Sequence, residues 1–148
     1  MRRRWAIGVA LSLGAAALTT GTGYAVVASG DEHHALGPGF VTVDVGIDHS
    51  RFDIGTLRVT KGTTVEFVVH NGDPIDHELI VGTPEVHRAH ETGEERSHPP
   101  RPGEVSVAPG QVAATFYELT EVGSIVYACH LPGHVAYGMQ GTIEVVDP

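Results

Sequence analysis

One cysteine is all this chain has. Cys129 stands alone among 148 residues, so no disulfide can form within the molecule. Basic residues are scarce as well, nine Lys and Arg against eighteen Asp and Glu, and the formal net charge is −9. Three of those nine are Arg2, Arg3 and Arg4, while no acid precedes Asp31, so the chain beyond residue 30 carries −12. Nucleic acid needs cationic contacts for its phosphates and is excluded as a partner. Metal ions and cationic proteins suit this charge, and solubility is its plainest use. Charge of either sign is missing between Trp5 and Gly30. Internal repeats and long low-complexity tracts are missing throughout.

The N-terminus has a recognisable order. Three arginines, an apolar run from Trp5 to Leu18 and small residues at Gly21, Gly23, Ala25 and Ala28 match the successive regions of a secretory signal peptide over residues 1–28. The uncharged stretch is also long enough to stay uncut as a membrane anchor. Its apolar density fades after Leu18 into Thr-Thr-Gly-Thr-Gly, which favours cleavage. The adjacent arginines leave a twin-arginine route open. Either way the rest is expected outside the cytoplasm: periplasmic, at the cell surface or secreted. Residues 29–39 read as a flexible tether, and 40–148 have the size of one domain.

Within that domain, short runs rich in Val, Ile, Thr, Phe and Tyr predict strands at 40–45, 56–59, 64–70, 77–81, 105–107, 111–119, 123–129 and 141–146. Turn residues separate them at Lys61-Gly62, Asn71-Gly72-Asp73-Pro74 and Ala108-Pro109-Gly110. The pattern predicts an all-β fold, an antiparallel sandwich or barrel. Residues 82–103 break the rhythm with His87, His90, His98, four glutamates and four prolines. Thr83 and Pro84 are suited to the N-cap and first position of a short helix, on which His87, His90 and Glu91 share a face. This stretch reads as an insertion beside the sandwich.

The stretch Tyr127-Ala-Cys129-His-Leu-Pro-Gly-His134-Val-Ala-Tyr-Gly-Met139 carries the chemistry. It sets a thiol, an imidazole and a thioether five residues apart, with Pro132, Gly133 and Gly138 to let the segment fold back. In an oxidising compartment a lone thiol is buried and inert, paired with another chain, or held as a metal thiolate. Two soft sulfurs with imidazole favour copper over zinc, which takes four strong ligands rather than a thioether. A second histidine is still needed, and His77 stands out among the ten because it opens a strand directly after a turn, where a rigid element can meet the loop.

These residues resemble the cupredoxin family, small blue-copper proteins such as plastocyanin, azurin, auracyanin and rusticyanin. The resemblance runs from about Phe52 to Val146, through Thr56-Leu-Arg-Val-Thr-Lys-Gly-Thr-Thr-Val-Glu-Phe, His77, Val107-Ala-Pro-Gly-Gln and the Cys129 loop. It implies a Greek-key β-sandwich and one mononuclear type 1 copper, with His77, Cys129 and His134 as equatorial ligands and Met139 as the axial one. The spacing of the loop is similar to that of rusticyanin and auracyanin. The His-rich insertion is similar to segments of bacterial copper-tolerance cupredoxins. Glu78 departs from the family, which often has Asn or Ser after the first histidine to tie the two ligand-bearing segments together, and a change there retunes the metal.

Each residue also has a plainer reading. Cys129 and Met139 can fill a core without touching metal, and His77 can be a satisfied strand histidine. His49 and His70 read as ordinary turn or strand residues. His130 follows the cysteine directly. In multicopper oxidases a histidine at that place leads to a second copper cluster, but the other histidines of such a cluster are missing from this chain, so His130 reads as a surface or supporting residue. His87, His90 and His98 read as a solvated polar loop, with an auxiliary metal site as the alternative.

Two functions follow from the resemblance. One is one-electron transfer to a redox partner protein. The other is copper homeostasis or tolerance, which the acidic charge, the insertion and the pair His33-His34 favour. No enzymatic activity is expected: copper nitrite reductases and oxidases need a second catalytic copper with several more histidines, and a binuclear site needs two bridging cysteines. A monomer is expected, with membrane attachment only through the N-terminus.

Overall fold

The computed structural model describes residues 35–93 and 101–148. The export segment, His33, His34 and His98 lie outside these residues.

Two sheets face one another. The first is ordered β2-β1-β4-β7, from β1 (Gly39–Asp48), β2 (Arg51–Phe52), β4 (Thr63–Asn71) and β7 (Val112–Leu119). The second is ordered β3-β9-β8-β5-β6, from β3 (Thr56–Thr60), β5 (His77–Gly82), β6 (Glu104–Val107), β8 (Gly123–Ala128) and β9 (Gln140–Val146). Alternation in the sequence explains the layering. In β4, Val65, Phe67 and Val69 are buried while Thr64, Glu66, Val68 and His70 face outward, and β1 buries Val41, Val43, Val45 and Ile47 in the same way. Each fully buried Val or Phe contributes roughly 1.5–3 kcal/mol relative to exposure. Tyr127, Leu79 and Ile143 close the core from the second sheet, with Met139 from the loop before β9.

The sandwich is not wholly antiparallel. β1 runs parallel to β4, and β3 runs parallel to β9. The chain leaves β1 and β2 for the other sheet at β3 and returns to the first at β4, and such a crossover brings a strand back in the same direction. The segment expected to be a tether is also fixed at its end: Leu36 exchanges backbone hydrogen bonds with Arg58 and Thr60, and β1 begins at Gly39.

Helix α1 (Pro84–Thr92) forms where Thr83 and Pro84 predicted it and ends at Gly93 in the left-handed region, φ 71°. It lies against β5, and Gly82 allows the approach, since a Cβ there would meet Val86 Cβ at 2.8 Å.

Candidate metal centre

Three functional side chains come from one end of the second sheet. His77 opens β5, Cys129 directly follows β8, and His134 sits on the loop that returns the chain to β9. The loop is held by its own backbone. Cys129 N–H donates to the Met139 carbonyl at 3.1 Å, Met139 N–H to the His134 carbonyl at 3.0 Å, and His134 N–H to the Leu131 carbonyl at 3.0 Å. Gly133 and Gly138 adopt φ of 87° and 86°, which the reversal of the chain requires and which side chains with a Cβ rarely take.

The result is a compact donor set. One ligand atom each from His77, Cys129 and His134 lie within 4.8 Å of one another. Cys129 Sγ is 3.1 Å from His134 Nδ1, and the two imidazole rings have centroids 4.9 Å apart. His77 and Cys129 are fully buried and His134 is partly exposed. Met139 is fully buried on the same loop, tied to Cys129 and His134 by the backbone bonds above.

A carboxylate fixes the first imidazole. His77 Nε2 donates to Asp73 Oδ2 at 2.9 Å, which leaves Nδ1 as the ring's lone-pair nitrogen. That Nδ1 is buried and has no hydrogen-bond partner among the described residues. Buried polar atoms are ordinarily partnered, and this one belongs to the group that meets the Cys129 sulfur and the second imidazole. The orphaned nitrogen and the N₂S donor set together fit a thiophilic metal such as copper.

Asp73 is itself held by the backbone. His49 N–H and Ser50 N–H donate to its two oxygens at 2.8 and 2.7 Å. Both donors sit at positive φ, 51° and 54°, a strained conformation for residues other than glycine. Burial alone raises the Asp73 pKa, but the donors from Ser50, His49 and His77 outweigh it and hold the carboxyl below its ordinary value. His49 is therefore more than an ordinary turn residue, and Asp73 is a site residue that sequence reasoning missed. Its one signal was a turn carboxylate four residues before a histidine.

Glu78 supplies the tie that the family usually makes with Asn or Ser. Its Oε1 accepts the His130 N–H at 2.8 Å and joins β5 to the cysteine loop. Burial pushes the Cys129 thiol up to about 11, although backbone N–H groups of Glu78 and Leu131 pull the other way. Burial and the neighbouring His77 lower His134.

The insertion corrects the solvated-loop reading for two of its histidines. His87 is buried, its Nδ1 lies 2.8 Å from His130 Nε2, and its Nε2 donates to the Val126 carbonyl at 3.1 Å. His90 stacks on His130 with centroids 5.8 Å apart, and its Nε2 lies 3.6 Å from Glu104. His130 is thus half-buried and supporting, with two imidazoles of α1 packed against it. Burial, helped by His87, pushes the His130 pKa down to about 4.

Residues 40–146 match the family of copper binding proteins described as plastocyanin/azurin. The copper-resistant cuproprotein CopI of Rubrivivax gelatinosus is 40% identical over 102 residues, covering 66% of this chain and 61% of that protein. CopI of Vibrio cholerae is 31% identical over 92 residues, covering 60% and 54%. This chain therefore spans less than two thirds of the length of either relative. Among solved structures, auracyanin B aligns with a TM-score of 0.59 at 22% identity, covering 71% of this chain and 88% of that one. Auracyanin A from Chloroflexus aurantiacus aligns at 0.58 and 22%, covering 72% and 99%. Both share the fold.

Proposed function

Given that the chain belongs to the plastocyanin/azurin family of copper-binding proteins, we propose that His77, Cys129 and His134 hold one copper in a type 1 site with Met139 as its weak axial donor, and that the protein exchanges single electrons outside the cytoplasm. The observation that carries this reading is the buried, partnerless His77 Nδ1 beside a thiol and a second imidazole. Bound copper supplies a centre that changes charge by one electron in a geometry suited to both oxidation states. The chain's own part is to hold the donors still. Asp73 sets the tautomer of His77, Glu78 and the loop backbone fix Cys129, and the packed core keeps water away from the sulfur.

Partner access favours the His134 side. This imidazole is partly exposed and is followed by Val135 and by Tyr137, which is 72% exposed. Such an edge with an apolar rim suits brief docking of a redox protein, and the acidic balance steers cationic partners toward the domain. The N-terminal segment takes the domain out of the cytoplasm, either cleaved or as an anchor, and no enzymatic step is assigned to it. An intense thiolate-to-copper absorption band in the copper-loaded protein, with reduction and reoxidation by a small redox protein in well under a second, is the expected outcome. A colourless cupric complex, or exchange slower than seconds, would sink this reading.

The names of the curated relatives favour a second reading, copper tolerance, in which the same site binds copper to protect the extracytoplasmic space. Deletion of the gene decides between the two. Growth that becomes copper-sensitive supports tolerance, while unchanged copper sensitivity with a slowed respiratory or photosynthetic electron flow supports the carrier role.

A further inference from the structure

Two carboxylates stand one contact away from the donor atoms. Asp73 Oδ2 accepts the Nε2 proton of His77 at 2.9 Å, with the ring fully buried and the Asp73 side chain 10% exposed. The turn that holds it is clamped from several directions. His49 and Ser50 donate to it from positive φ, its own N–H donates to Asn71 Oδ1 at 2.9 Å, and Asn71 Nδ2 donates to the carbonyls of Ile75 and Val107. A neutral carbonyl at that place would fix the same tautomer of His77. The strained clamp therefore keeps something that a carbonyl lacks, a negative charge.

The second carboxylate lies on the sulfur side. Glu78 Oε1 accepts the His130 N–H at 2.8 Å. As a carboxylate it has no proton to offer, so it brings charge to the Cys129 sulfur without a hydrogen bond. The donors that act on the sulfur are the backbone N–H groups of Glu78 and Leu131. Burial dominates the pKa values of Cys129 and His134, and against it the Glu78 charge favours the more positive form of both. Asp73 does the same at His134. Arg51 Nη1 lies beside Gly138 on the loop, yet it is not among the influences on either group.

We propose that Asp73 and Glu78 are positioning residues that set the oxidation-state preference of the centre, lowering its reduction potential so that the cupric form is the one it holds. The inference rests on the type 1 reading and adds the electrostatic sign which that reading leaves open. A carboxylate behind an imidazole raises the basicity of the coordinating nitrogen, and a more basic nitrogen favours the more highly charged ion. A fixed negative charge does the same by direct attraction, most strongly where water is excluded. The electron donor to this site must then be a stronger reductant than the same ligands with neutral neighbours would require.

The copper-loaded full chain is titrated with redox mediators in an optical cell, following the thiolate band, and the apoprotein is titrated with Cu(I) against bicinchoninate. Asp73→Asn should move the preference toward Cu(I) by at least about 10-fold, a rise of about 59 mV for a one-electron couple. Glu78→Gln should move it the same way by less. Cu(I) affinity should hold in both, so that the loss falls on Cu(II). A role confined to shape would loosen both ions alike and leave the potential in place. Asp44→Asn, which removes a carboxylate from the exposed Asp44–His70 pair, should not move the potential, since exposed charge is screened. The proposal is overturned if either variant, loaded and coloured, keeps or lowers the wild-type potential, or if Asp44→Asn raises it as far as they do. Should Asp73→Asn not fold, Glu78→Gln decides. A wild type without the thiolate band overturns the type 1 reading and this inference with it, whereas a band with an unmoved potential overturns this inference alone.

Discussion

Two imidazole pairs flank the peptide between residues 129 and 130, and they are built on different terms. His77 and His134 have centroids 4.9 Å apart, and His87 and His130 have centroids 5.1 Å apart. In the first pair a carboxylate occupies the far nitrogen of His77 and leaves the near one bare beside a sulfur. In the second the two facing nitrogens satisfy each other and dock a helix onto the sheet, and the bare nitrogen, His130 Nδ1, is not one of the two that meet. A pair left wanting a partner is prepared for metal at a cost in apoprotein stability. A pair whose facing nitrogens bond to each other stabilises the fold instead.

The sharpest way to break the comparison is Cys129→Ala. The thiolate-to-copper band should vanish completely, while the His87–His130 side keeps its structure, as NMR of the imidazole protons would report. Protons give the next largest effect. Because burial holds the Cys129 thiol at about 11, the metal-free sulfur is protonated through the neutral range and each copper loaded there releases one proton. Apparent affinity at that site therefore rises about tenfold per pH unit toward pH 11 and falls along the same slope as pH is lowered. A pH series of copper competition titrations checks the slope.

Asp73→Asn attacks the arrangement of the first pair without removing a ligand. His77 and the strained turn at His49 and Ser50 lose their charged acceptor, and copper affinity should fall about 10- to 100-fold with the band retained. Gly82→Ala acts on the second pair. The added Cβ collides with Val86, and thermal melting should show a loss of about 1–3 kcal/mol while the band stays in place. Glu78→Gln should be mildest, since an amide oxygen still accepts the His130 N–H but without charge assistance, costing about 0.5–1 kcal/mol in the same melts.

Much of this was legible from residue order. Alternation in β1 and β4 and turn residues such as Lys61-Gly62 marked most strands to within a residue or two, because a sheet with one buried face imposes period two on its sequence. The Cys129, His134 and Met139 intervals were legible because they lie on a single loop. What stayed hidden was contact across sequence distance. Nothing local says that β1 pairs parallel to β4, that backbone donors at residues 49 and 50 grip a carboxylate at 73, or that His87 reaches His130. Glu78 looked like a lost tie and is a working one, because its carboxylate accepts the His130 N–H and joins β5 to the cysteine loop.

The attachment of Leu36 has a directional consequence. Leu36 bonds with Arg58 and Thr60, which lie beside Glu144 and Val146 near the far end of β9, whereas Met139 precedes the start of that strand. Seven residues of extended chain span about 20 Å. The described chain thus enters the domain at the end opposite the ligand-bearing loop, which leaves the His134 tip clear of the point of entry.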